Sequence, residues 1–185
     1  MAEDAIDAAV KVLGMDVPKS STSGMQLLGA DRVGVVCDAK FDKITVTLRN
    51  EYLLSKELAN HLTHNYGTRA LQIAEIRKAQ PSLGKQLHSR HVFIEAEVIF
   101  AVEQEYAMTV EDVIARRMRL AFVDSRAAAE ATPIVANLMA KQLGWSKAYT
   151  NEQILKTIEF LQTMHSGDPK ELEILAKIKP PSMNE

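Results

Sequence analysis

Tyr106-Ala107-Met108-Thr109-Val110-Glu111-Asp112-Val113-Ile114-Ala115-Arg116-Arg117-Met118-Arg119-Leu120-Ala121-Phe122 carries helix signals at its start, along its face and in its charge order. It reads as a helix with a written beginning. Thr109 is placed to be the N-cap, and Asp112 three residues on makes a shortened capping box. Met108 before the cap and Val113 after it have the spacing of a hydrophobic staple. Glu111 and Asp112 fall in the first turn and the arginines later, the order that the helix dipole favours. At about 100° per residue, Val110, Val113, Ile114 and Ala121 share one side. Arg117 falls on that apolar side, whereas Arg116 and Arg119 point away from it. A guanidinium in an apolar stripe cannot shed its proton and needs a partner. Arg117 is therefore expected to pair with a buried carboxylate or to reach another domain.

Helical wording continues on both sides. Ala5, Ile6, Ala9, Val10 and Leu13 form a stripe that stops at Gly14, a natural residue for leaving a helix. This pattern starts at the first residues with no lead-in, as in a fragment of a longer chain. Residues 15–40 lack helical period and collect Pro18, Ser20, Ser21, Gly24, Gly29 and Gly34, a long loop with an extended piece at Val33-Gly34-Val35-Val36-Cys37. Ile44-Thr45-Val46-Thr47-Leu48 alternates as a strand would, yet Phe41, Ile44, Leu48 and Tyr52 are helically spaced. With no second strand to pair, helix is favoured there. Ser55 opens a helix through Leu58, Ala59 and Leu62 that ends near Asn65-Tyr66-Gly67, and Thr68 opens another that closes before Pro81. A loop then leads to a helix from Ile94 through Val98, Ala101 and Val102. Glu97 flanks its stripe and Glu105 lies on it, which makes them the candidate partners for Arg117 in a structural ion pair.

Downstream, Asp124 or Ser125 caps a long helix that Pro133 should kink or divide. Gly144 with Trp145 behind it reads as a Schellman end. Thr150-Asn151-Glu152-Gln153 is a full capping box, and Asp168-Pro169-Lys170-Glu171 starts a last helix that stops at Pro180-Pro181 before a disordered tail. The sum is an all-α domain of about seven to nine helices, with one short extended segment near residues 33–48.

Composition sets the class. The chain has 185 residues, 46% hydrophobic and 25% charged, the balance of one ordinary globular domain. A net charge of −2 supplies no global field for nucleic acid. No apolar run approaches the roughly 18–20 residues of a spanning helix. Cys37 is the only cysteine, so no internal disulfide forms. His61 and His64 are three apart, as are His88 and His91, but no acid or thiolate ligands stand at telling spacing, and no metal site is assigned. Arg116, Arg117 and Arg119 lack aromatic interleaving, and Glu111 and Asp112 cancel their field, which argues against a helix-turn-helix. Glycine-rich phosphate loops and nucleophile elbows are absent, so no catalytic or cofactor-binding residue is assigned.

Several stretches together resemble the C-terminal domain of FAD-dependent glycerol-3-phosphate dehydrogenases. They are Met1-Ala2-Glu3-Asp4-Ala5-Ile6-Asp7-Ala8-Ala9-Val10, Asn65-Tyr66-Gly67, Ile94-Glu95-Ala96-Glu97-Val98, Arg116-Arg117-Met118-Arg119-Leu120-Ala121-Phe122, and Glu130-Ala131-Thr132-Pro133-Ile134-Val135 through Gly144-Trp145. The resemblance covers residues 1–163 and leaves 164–185 as an extra helix and tail. It implies a non-catalytic helical domain that braces a flavin domain or an oligomer interface, with Arg116 and Arg119 as candidate interdomain contacts. The implied parent oxidises sn-glycerol 3-phosphate to dihydroxyacetone phosphate and passes electrons through FAD to quinone. FAD belongs to that parent and is not expected on this chain. Membrane association would come only through the parent, at the mitochondrial inner membrane or, alternatively, the bacterial cytoplasmic membrane periphery. The related glycerophosphate oxidases share the domain. The competing readings are a free-standing helical adaptor or DNA-binding module, and a metal-binding helical protein.

Overall fold

A computed structural model describes residues 2–25, 27–30, 38–164, 173, 175, 177 and 178. Among them run eight α-helices in the order α1 (Ala2–Leu13), α2 (Asp38–Asn50), α3 (Lys56–Tyr66), α4 (Ala70–Ala79), α5 (Glu95–Glu105), α6 (Leu120–Val123), α7 (Ser125–Leu143) and α8 (Lys147–Gln162). A small antiparallel hairpin, β1 (Gln86–His88) and β2 (His91–Ile94), precedes α5. The described residues are all-α in their regular structure apart from that hairpin.

α5 is the wall between two apolar cores. Ile94, Ala96 and Phe100 pack with Leu48, Leu62 and Ile73 from α2, α3 and α4. Val98 and Ala101 pack with Val113, Leu120, Met139 and Ile154 from the segments that follow. Leu175 is fully buried in this second core and Ile178 rests against it. α1 stands apart: none of its residues is buried, and Ile6 is 64% exposed and Leu13 70%.

Most caps fall where the side chains place them. Ser55 accepts the Leu58 N–H and Asp124 the Ala127 N–H. At Gly144, in the left-handed region, the Trp145 N–H returns to the Ala140 carbonyl at 3.0 Å, the long bond of a Schellman end. Residues 44–48 are helical, within α2. The extended piece expected at 33–37, the Asp168-Pro169 start and the tail beyond Pro180 lie outside the described residues.

Other elements differ from expectation. The stretch from Tyr106 to Phe122 is not one α-helix. Thr109 and Asp112 do exchange the expected bonds: Asp112 N–H donates to Thr109 Oγ1, and the Asp112 carboxylate accepts the Thr109 and Met108 N–H groups. Beyond them the ring widens to a π-turn over Asp112–Arg117, in which Met118 N–H bonds Val113 O at 2.9 Å. The cause is packing. Val113, Ile114 and Ala115 are all buried in succession, and Met118 follows them in. A regular helix turns such a run through about 200°, out of reach of one core. The wider turn admits all three and rotates Arg117 out of the stripe. Met108 is 57% exposed and forms no staple. α8 begins at Lys147 with Ser146 as its cap, so Thr150 lies inside the helix, where its hydroxyl donates to the Ser146 carbonyl. Pro133 does not divide α7, which runs unbroken; Thr132 Oγ1 donates to the Ala128 carbonyl beside it. The strands of the hairpin are too short to register as alternation.

Candidate functional site

Glu97 is the most constrained charged group. It lies in the first turn of α5 with no exposed surface. Its Oε1 reaches back to accept the Ile94 N–H at 2.8 Å, so the N3 side chain holds the strand-to-helix corner. Its Oε2 accepts the Tyr66 hydroxyl at 2.8 Å and meets His61 Nε2 at 2.9 Å. Both partners come from α3, His61 from its middle and Tyr66 from its last position. Asn65 Nδ2 stands 3.0 Å from His61 Nδ1. An amide nitrogen only donates, so Nδ1 is the acceptor and Nε2 carries the proton toward Glu97. Burial, and then the Glu97 charge, push the Tyr66 phenol well above its ordinary range, which keeps it a donor. The carboxylate is thus satisfied by three donors. Arg117 does not reach it, and the pair anticipated between Arg117 and Glu97 is replaced by the bonds to His61 and Tyr66.

Arg117 meets Glu105 instead. Its Nη2 donates to the Glu105 carbonyl at 2.6 Å, and its Nε lies 3.6 Å from the carboxylate. Arg69 stands on the other side, 3.3 Å from Glu105 and 4.5 Å over the Phe100 ring. The two cations close the C-terminal end of α5, where the helix dipole favours positive charge. The Arg117 side chain is 36% exposed, so the pair is a solvated one rather than the buried one the stripe implied. Arg116 is paired within its own turn, with Asp112 and with Glu111 at 2.6 Å. Burial alone would raise the Asp112 carboxyl, but the Thr109 hydroxyl, the Met108 N–H and Arg116 hold it below its ordinary range. Arg119 is exposed, its carbonyl accepts the Phe122 N–H, and its side chain makes no hydrogen bond or ion pair among the described residues.

The four candidate histidines do not converge. His61 serves Glu97, His64 Nδ1 meets the Asn60 carbonyl, His88 Nε2 meets Glu130 at 2.9 Å, and His91 Nε2 meets Asp124 at 3.0 Å. The last two clamp the hairpin tip to α7, helped by Arg90 on Asp124 and Arg126 on Glu130. Among the described residues no group of three histidine, cysteine or acidic side chains stands ready for a metal. Reasoning from sequence missed the His61–Tyr66–Glu97 cluster and the hairpin clamp. The helical spacing from His61 to Asn65 to Tyr66 was the available signal, read only as a helix end.

A flavin dinucleotide does not fit these residues. The only sheet among the described residues is the antiparallel hairpin, with no glycine-rich turn opening a helix behind a strand. Three open hollows of about 480, 280 and 350 Å³ lie among the described residues. No described helix is long and apolar enough to cross a membrane.

Comparison with known proteins places this arrangement. Residues 20–150 match the model of a family described as the C-terminal domain of alpha-glycerophosphate oxidase. The chain is 36% identical over 165 residues to the mitochondrial glycerol-3-phosphate dehydrogenase of Mus musculus, covering 87% of this chain and 22% of that protein. It is 34% identical over 180 residues to a probable mitochondrial glycerol-3-phosphate dehydrogenase of Caenorhabditis elegans, covering 94% and 24%. To the mitochondrial glycerol-3-phosphate dehydrogenase SDP6 of Arabidopsis thaliana it is 35% identical over 176 residues, covering 90% and 28%. The chain therefore spans about a quarter of the length of these relatives. No solved structure matches it.

Proposed function

Since the chain belongs to the family of the C-terminal domain of alpha-glycerophosphate oxidase, we propose that it is the non-catalytic C-terminal domain of an FAD-dependent glycerol-3-phosphate dehydrogenase. The observation that carries this reading is the breadth of the match: three dehydrogenases align over 87–94% of this chain and continue far beyond it. We assign residues 1–163 to the domain and 164–185 to an extension whose Leu175 is buried in the domain's core. In the parent, the domain braces the flavin-binding part or an oligomer contact, and oxidation of sn-glycerol 3-phosphate, with electrons passed through FAD to quinone, takes place elsewhere. FAD is assigned to that other part, and none of the chemistry is assigned to this chain.

The structure supports a bracing role in two ways. No residue of α1 is buried among the described residues, and an isolated helix of 12 residues is marginal in water, so a neighbouring surface would stabilise its apolar stripe. Arg116 and Arg119 are both exposed on one short segment, and we assign them to the interdomain contact. The names of the relatives support a mitochondrial location, and association with the inner membrane would come through the parent enzyme. The breadth of the match favours this reading over a helical adaptor or DNA-binding module.

Mixing tests it. Purified chain is added to the flavin domain of a glycerol-3-phosphate dehydrogenase, and glycerol-3-phosphate-dependent dye reduction and flavin retention are followed. Either should rise on mixing. Two proteins that neither bind nor alter one another would remove the bracing role.

A further inference from the structure

The segment after the π-turn carries two departures from regular helix in succession. Met118 closes the wide turn, and Arg119 then sits at φ 58°, ψ 14°, a left-handed conformation that costs an L side chain energy. The pair of irregularities re-aims the short α6. Leu120 and Ala121 turn fully into the core, while Phe122 and Val123 are thrust into solvent, 62% and 71% exposed. Beside them is a hollow of about 350 Å³ that also involves Arg90, Met164 and the start of α7. An exposed phenylalanine and valine, a partly exposed methionine and one uncompensated guanidinium thus occupy one small area.

We infer that this α6 face, centred on Arg119 and Phe122, is the surface that docks the flavin-binding part of the same polypeptide. The inference rests on the function proposed above and adds where the contact lies and what it needs. Phenylalanine, methionine and arginine are the side chains enriched where interfaces are dry and tight. Arg116 and Arg90 already hold carboxylates of this chain, whereas Arg119 has none among the described residues, so a carboxylate from the docked surface suits it. The complementary surface is an apolar recess for the Phe122 ring with an Asp or Glu at its rim. Tethering selects the occupant. The relatives carry the matching segment in one polypeptide with three or more times its length, so the rest of that polypeptide is present at millimolar effective concentration, beyond the reach of a separate protein. The left-handed Arg119 fits this role, since local strain fixes the direction of Phe122 before docking.

Photocrosslinking in the full-length enzyme tests the assignment. Phe122→p-benzoyl-phenylalanine is compared with the same substitution at Leu155, an exposed apolar position on α8. Flavin absorbance of the purified protein is read first. A protein without flavin ends the reading of the chain as part of a flavoenzyme, and the docking face falls with it. In a flavin-bearing protein, position 122 should give an adduct to a peptide of the flavin-binding part, at least tenfold above position 155. Arg119→Glu should abolish that adduct while Arg119→Lys retains it, with flavin content unchanged in both. Equal yields at the two positions, no adduct, or an adduct only to a second copy would overturn the docking face and leave the flavoenzyme reading standing.

Discussion

Replacing Glu97 with alanine removes the acceptor of three hydrogen bonds at once. Ile94 N–H, the Tyr66 hydroxyl and His61 Nε2 all converge on this carboxylate, which has no exposure to water. Each bond to a charged acceptor contributes about 1.5–3 kcal/mol, but the three share one group and do not add. What the variant loses is set by the donors left stranded, at about 1–3 kcal/mol for each that stays buried. The Ile94 N–H is sealed inside the corner between β2 and α5, and Tyr66 is half-buried. We expect a cost of about 3–5 kcal/mol, the range for breaking a buried charged contact from one side. In a chain of this size that lowers Tm by roughly 6–20 °C. Urea titration followed by circular dichroism should move the midpoint and leave the slope unchanged. Glu97→Gln keeps the volume and one oxygen for Ile94 but turns amide donors on Tyr66 and His61, and should lose about half as much. A loss below about 1 kcal/mol for the alanine variant would refute the reasoning, because it would mean that the carboxylate is not held by these donors.

Other changes probe the remaining features. Gly67 has φ 57°, and a Cβ there would lie 2.1 Å from the Gly29 carbonyl oxygen, so Gly67→Ala should cost about 2–4 kcal/mol, read from its Tm against wild type. Arg119→Gly relieves the left-handed backbone and should stabilise by about 0.5–1 kcal/mol, whereas Arg119→Ala removes the same charge and should not; equal urea midpoints for the two would remove the strain. Arg117→Ala breaks a solvated pair and should cost only about 0–1 kcal/mol, which a drop of several degrees in Tm would contradict. The His88 ring and Arg126 hold Glu130 below its ordinary range; at Asp124, burial is outweighed by the Ala127 N–H, His91 and Arg90, with the same result. Both carboxyls bind protons less readily folded than unfolded. Their stabilisation is complete above the unfolded pKa of about 4 and is lost as pH falls through the lower folded values. Denaturation midpoints taken from about pH 6 to about pH 3 should fall more steeply for wild type than for an Asp124→Asn, Glu130→Gln double variant.

Local signals announced most of the helices because each is written in a few adjacent residues. Ser55, Asp124 and Gly144 act on neighbours three to five positions away, and each does what its side chain dictates. The π-turn has no such local mark. It is imposed by a core that accepts Val113, Ile114 and Ala115 together, and a fixed 100° step cannot anticipate it. That same step put Arg117 in the wrong place and hid the isolation of Arg119. The partners of Glu97 lie 31 and 36 positions away on α3, so only the packing of α3 against α5 reveals them. The hairpin escaped because three and four residues give no period to read. The resemblance drew on wording spread along the whole chain and needed none of this geometry.

The placement of α5 between two cores has a consequence for how the molecule opens. Ile94, Ala96 and Phe100 belong to one apolar set and Val98 and Ala101 to the other, on opposite faces of about two turns of backbone. Neither half can loosen without baring a face of the helix that the other half needs. The two cores therefore melt as one cooperative unit, and the amide hydrogens of α5 exchange with solvent only through global unfolding. Fraying is left to the periphery, to α1 above all, none of whose residues is buried.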